Sequence, residues 1–159
     1  MSGNSTIDRM DFAILDCLTK NARISNKELA AAVGLAPSSC HERLKVLREK
    51  GVLKGAHAEV DLRALGFDVE ALLLIQVGKL SAADVDAYME EVADIPFVRS
   101  VFLISGHFDM AVHVTVQSME HLKHLISDHF HREFVIRVES SLVFNCLSRR
   151  ALPSLEGSL

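Results

Sequence analysis

Two stretches of this sequence carry side chains whose types and spacing could do chemistry. "SSCHERLKVLREK", residues 38–50, gathers Ser38, Ser39, His41, Arg43, Lys45 and Arg48. A helix lying against phosphate needs small polar groups at its start, where free N–H groups and the helix dipole favour an anion, and longer cations along its outer face. "SGHFDM", residues 105–110, sets Gly106 and Asp109 on a break between the apolar runs "VFLI" and "AVHVTV". The break is either a plain hairpin turn or a place where bare backbone and a carboxylate meet a ligand. A third group, His121, His124 and Asp128, falls on one helical face at i, i+3 and i+7. That spacing could hold a divalent metal, but histidines on a solvated amphipathic face are common, and no metal is assigned.

The cationic stretch needs a scaffold, and the first sixty residues supply one. Asp8 can cap a first helix, with Asp11 in its first turn and Ile7 and Phe12 at the spacing of a hydrophobic staple. Ser25 and Glu28 form an S-x-x-E capping box for a short helix over about 26–33, which Gly34 ends. Pro37 suits the first position of a third helix, whose Cys40, Leu44 and Leu47 form the apolar stripe and which Gly51 closes. Two helices joined by the tight turn "GLA" outline a helix-turn-helix with the polar stretch on its second member. The strand-like "GVLKGAHAEVD", bearing Lys54, reads as the wing of a winged variant.

Composition agrees once the chain is divided. The net charge is −4, but residues 1–60 hold nine Lys/Arg against seven Asp/Glu, while the remainder holds eight against fourteen. Basic character is therefore local to the N-terminal part. "MSGNSTIDRMD" lacks the basic and apolar regions of a secretory signal, and the longest strictly apolar run is "ALLLI", so the expected location is the cytoplasm. Cys17, Cys40 and Cys146 are odd in number and far apart, which speaks against disulfides and thiolate zinc sites.

Gly66 breaks the helical periodicity within 62–70, read as a linker between a DNA-binding domain at 1–61 and a second domain at 71–159. The second domain alternates "ALLLIQVGK" (strand), "AADVDAYMEEVA" (helix), "VRSVFLIS" and "MAVHVTVQ" (strands), "MEHLKHLISDHF" (helix) and "RVESSLVFNCL" (strand). This β-α-β-β-α-β succession predicts an α+β, ferredoxin-like fold with both helices on one face of a four-stranded antiparallel sheet. Leu72, Leu74 and Val77 leave the strands apolar on both faces, so the uncovered face calls for a second copy of the chain.

The order of "IDRMDFAIL", "NARISNKELAAAVGL", "CHERLKVLREKGVLKG", the linker "LG" and "SGHFDM" resembles the Lrp/AsnC (feast/famine) family of transcription regulators from about residue 6 to 150. The resemblance implies no enzymatic activity and no cofactor. It implies dimers that assemble into tetramers or octamers, double-stranded DNA with paired half-sites as partner, and an amino acid or related metabolite as effector. By the same resemblance Ser38, Ser39, His41, Arg43, Lys45, Arg48 and Lys54 contact DNA. Gly106, His107, Phe108 and Asp109 bind effector at a contact between dimers, and Met119, Ser140, Ser141 and Leu142 form the opposing wall. One departure is Ala36, where the family often places Ser before the proline, so an N-cap worth about 1 kcal/mol is missing. Tetrapyrrole (siroheme) decarboxylases resemble the same two-domain plan and are one alternative. A sensing or oligomerisation module with a degenerate DNA domain is another.

Overall fold

The computed structural model describes residues 7–148 and Leu152. They form two compact units. The first runs to Ala58 and also takes in Leu147, Ser148 and Leu152, whereas the second is Glu59–Cys146.

In the first unit α1 (Arg9–Lys20), α2 (Asn26–Val33) and α3 (Pro37–Glu49) enclose Ile14, Leu29, Ala30, Cys40, Leu44 and Leu47. Their ends are those the sequence marks. Asp8 accepts the Asp11 N–H at 2.8 Å and donates its own to the Asp11 carboxylate at 3.1 Å, and Ser25 and Glu28 repeat the reciprocal pair on α2. Gly34 takes φ 71 and returns its N–H to the carbonyls of α2, a left-handed stop that a Cβ would strain.

α3 has no side-chain cap. Ala36 nevertheless holds the extended φ −68, ψ 143 of a capping residue ahead of Pro37. Ala36→Ser is therefore expected to raise stability by about 1 kcal/mol. Urea titration should show a higher midpoint at unchanged m-value, and an unmoved midpoint would mean that water already serves the free N–H groups.

Residues 51–61 differ from expectation. The chain turns at Gly51, bends at Val52 and Leu53 and then continues without helix or strand to Asp61, joining no sheet among the described residues. A strand requires a neighbour to receive its N–H and C=O groups, and apolar alternation does not supply one. Lys54 thus lies on a segment without regular structure.

The second unit opens with a 3-10 turn at Arg63–Leu65 and continues through β1 (Val69–Val77), α4 (Ala82–Ala93), β2 (Val98–Leu103), β3 (Met110–Val116), α5 (Met119–His129) and β4 (Val135–Leu142). The sheet order is β2-β3-β1-β4, with every neighbouring pair antiparallel. Ala71, Leu73 and Ile75 of β1 and Met110, Val112, Val114 and Val116 of β3 point to the helix side, where Tyr88, Val92, Leu122, Leu125 and Phe130 complete the core. The intervening residues face away. Leu72 lies opposite His113, Leu74 opposite Ala111 and Phe102 beside Ala111, so an apolar centre remains on the uncovered face. A His113–Glu70 pair at 2.7 Å sits next to it.

β4 is shorter at its end than the run of apolar residues suggests. Its ladder stops at Leu142, opposite Ala71, with one further bond from Val143 N–H to the Glu70 carbonyl. Beyond Val143 the chain leaves the sheet, and Phe144 and Leu147 are 86% and 93% exposed.

Candidate functional site

α3 owes its orientation to what lies beneath it. Cys40, Leu44 and Leu47 are buried, and the Asn26 side chain donates to the Pro37 carbonyl at 2.9 Å, pinning the start of α3 to the start of α2. Sequence reading missed Asn26, because an amide in a first turn gives no sign of a bond eleven residues away. On the outward side Ser38, His41, Lys45 and Arg48 recur at three- and four-residue intervals, all exposed, and make one stripe. Among the described residues Lys45, Arg48 and Lys54 have no ion-pair partner.

Arg43 is placed differently. By helical periodicity it falls across the buried stripe from those four, as does Ser39. Its guanidinium donates to Asp8 at 2.7 Å and Asp11 at 2.8 Å, clamping α3 to the capped end of α1. The Asp11 N–H first, and the Arg43 guanidinium next, hold the Asp8 carboxyl below its ordinary range.

In the second unit the loop of residues 104–109 joins β2 to β3. Asp109 anchors it: its backbone N–H donates to the Ile75 carbonyl at 2.9 Å, and one carboxylate oxygen accepts the Val77 N–H at 2.9 Å. The Ile104 N–H closes the turn on the Asp109 carbonyl at 2.8 Å. Gly106 takes φ 130 with open space where a side chain would project. His107 packs edge-on against Phe108, with ring centroids 5.1 Å apart.

Met119 and Ser140 come together in a groove of about 360 Å³ between α5 and the edge strand β4, and the loop of residues 105–109 does not line it. Ser140 lies opposite Leu73 on the helix side of the sheet, but Ser141 lies opposite Leu72 on the other. One wall cannot take both. Leu142 points to the helix side yet lies outside this groove. His121 packs edge-on against Phe97 at 4.4 Å, and no three His, Cys, Asp or Glu side chains among the described residues converge as a metal would require.

Residues 7–54, which contain α1 to α3, match the winged helix-turn-helix DNA-binding family, and residues 70–152 match the Lrp/AsnC ligand binding domain. The chain belongs to the Lrp/AsnC family. This Lrp/AsnC protein is 32% identical over 144 residues to the transcriptional regulator AzlB of Bacillus subtilis, covering 90% of its own length and 92% of the relative. It is 30% identical over 142 residues to the regulator AldR of Mycolicibacterium smegmatis, covering 89% and 83% of the two chains. A Neisseria meningitidis transcriptional regulator crystallised with L-Met superposes with a TM-score of 0.84 at 28% identity, covering 93% of this chain and 97% of that one. Escherichia coli AsnC superposes at 0.80 with 26% identity, covering 92% and 98%.

The Lrp/AsnC chain is accordingly a DNA-binding transcriptional regulator with a ligand-binding domain. Its named relatives are regulators, which sets it apart from the decarboxylases that resemble the same plan.

Proposed function

We propose that a dimer of this chain reads paired half-sites on double-stranded DNA through the exposed stripe of α3, and that an amino acid binding in the second domain alters occupancy by favouring one assembly over another. The observation that carries the DNA part is the stripe of Ser38, His41, Lys45 and Arg48, whose two cations have no partner among the described residues. Unpaired cations along an exposed helix face are free to neutralise phosphates and to position the helix on a duplex. Lys54, just beyond α3, adds a flanking phosphate contact, while Arg43 acts as a positioning residue for α3.

The effector part rests on the loop and the groove together. Asp109 keeps a carboxylate oxygen for an α-ammonium, and backbone N–H groups near Gly106 suit an α-carboxylate. Met119 and Ser140 stand apart from the loop within one chain, so the two walls belong to different copies that meet when dimers assemble into tetramers or octamers. His107, exposed on the loop, is then placed to tune effector choice. The apolar centre around Leu72, Leu74, Ala111 and Phe102 provides the face for the dimer itself. The working compartment is the cytoplasm, with the DNA.

Binding-site selection from genomic DNA, repeated with and without each amino acid, tests both parts. One enriched motif with two half-sites about one helical turn apart or a multiple, and one amino acid that changes its retention, is the expected result. Amino-acid binding without any enriched motif would instead favour a sensing module whose DNA domain has degenerated.

A further inference from the structure

We propose that the groove between α5 and β4 makes this chain a sensor of acidic amino acids, with Lys123 binding the effector's side-chain carboxylate. The inference rests on the preceding reading that an amino acid binds between the loop of one copy and the groove of another, and it goes on to name the class.

The groove is built from one stripe of α5. Met119, Lys123 and Ser127 recur every four residues and face the edge of the sheet, with Leu122 and Ile126 beneath them. Ser140 closes the β4 side and His131 the far end of the helix. Its volume of about 360 Å³ lies at the lower end of the range for small-molecule sites, fitting a ligand of amino-acid size.

The arrangement of polarity is specific. Leu122 is 2% exposed and Ile126 partly buried, so the floor is apolar and suits methylene groups. Above it Lys123 is exposed and has no ion-pair partner among the described residues. Ser127 and Ser140 add two hydroxyl donors, and His131 adds a ring N–H. Among the described residues neither Asp nor Glu lines the groove. An ammonium beside two hydroxyls, with no carboxylate of the protein's own, is a receptor for an anion.

That anion is the side chain rather than the α-carboxylate. The loop already offers partners for both α-groups, through Asp109 and the backbone near Gly106. Once a second copy closes the site, an apolar side chain over Lys123 would leave the ammonium desolvated and unpaired, which disfavours it. A glutamate or aspartate side chain lays its methylenes on Leu122 and Ile126 and presents its carboxylate to Lys123. Selection therefore follows from penalising the uncharged competitor as much as from attracting the acid.

Thermal shift titrations of the full-length protein with L-glutamate, L-aspartate, L-methionine and L-leucine test this, using wild type, Lys123→Met and Asp109→Asn. Wild type is expected to respond to an acidic amino acid at a concentration at least about tenfold lower than to methionine or leucine. Lys123→Met, which keeps the helix and its length, is expected to lose that preference and respond better to methionine or leucine. Asp109→Asn is expected to lose response to all four. A wild type that prefers methionine or leucine, or a preference that Lys123→Met leaves intact, overturns the acidic assignment while the amino-acid reading stands. No response from wild type to any amino acid overturns both.

Discussion

Lys45→Ala combined with Arg48→Ala is expected to weaken operator binding by about 100-fold in a gel-shift titration, roughly 2.8 kcal/mol for the pair, and uniformly across DNA sequences. Both side chains lie on the exposed stripe of α3 and have no partner to lose within the chain among the described residues. The unfolding midpoint should therefore stay near that of wild type. The plot of log affinity against log salt should become shallower by about 0.9 for each phosphate contact removed. Unchanged affinity with an unchanged slope would place the DNA surface elsewhere. Arg43→Ala gives an informative contrast. It too should weaken binding, but with a lowered unfolding midpoint, because Asp8 and Asp11 lose the cation that ties α3 to α1.

The second large effect is expected at Asp109, where two substitutions separate two jobs. Asp109→Ala removes the acceptor of the Val77 N–H, a part-buried donor 2.9 Å away, and should destabilise the protein by about 1–3 kcal/mol. It should also abolish any amino-acid response. Asp109→Asn retains a side-chain oxygen for the Val77 N–H but not the charge. Its stability should fall by far less than that of the alanine variant, while its response to effector disappears. If the asparagine variant responded as wild type does, the carboxylate would be a loop anchor only, and the α-ammonium would need another partner.

Local chemistry explains why so much of the N-terminal unit is legible in the chain. Asp8, Ser25, Pro37 and Gly34 act within a few residues of themselves, so the limits of α1, α2 and α3 follow from caps and stops at known offsets. The exposed stripe on α3 follows from the same periodicity. Residues 51–61 show where such reasoning fails. Their alternation is that of a strand, yet pairing depends on a neighbour that this part of the chain does not supply. The far end of the sheet repeats the lesson, since "RVESSLVFNCL" reads as continuous while β4 ends at Leu142, opposite Ala71 near the start of β1.

The residues proposed for the effector divide in the same way. Gly106 and Asp109 are recognisable because they fall in the break between two apolar runs, and the positive φ of Gly106 is a local demand. Asp109's bond to Val77 spans 32 residues and has no local signature. Ser140 and Ser141 are adjacent in sequence but lie on opposite faces of β4, which a strand's period of two dictates once the register with β1 is known. Lys123 went unnoticed among the neighbouring histidines. Its place in the groove depends on α5 lying beside the edge of the sheet.

By itself the sequence determined the helix ends, the order of strands and helices, the separation of a basic from an acidic half, and the family. Each is encoded in contacts or composition short along the chain. Tertiary structure alone decided that Arg43 bonds Asp8 and Asp11 at the start of α1, that Asp109 anchors its loop to β1, and that Lys123 faces Ser140 across a groove. Those are pairings between elements distant in sequence, fixed by which apolar faces bury against each other and by sheet register, and neither periodicity nor residue type specifies them.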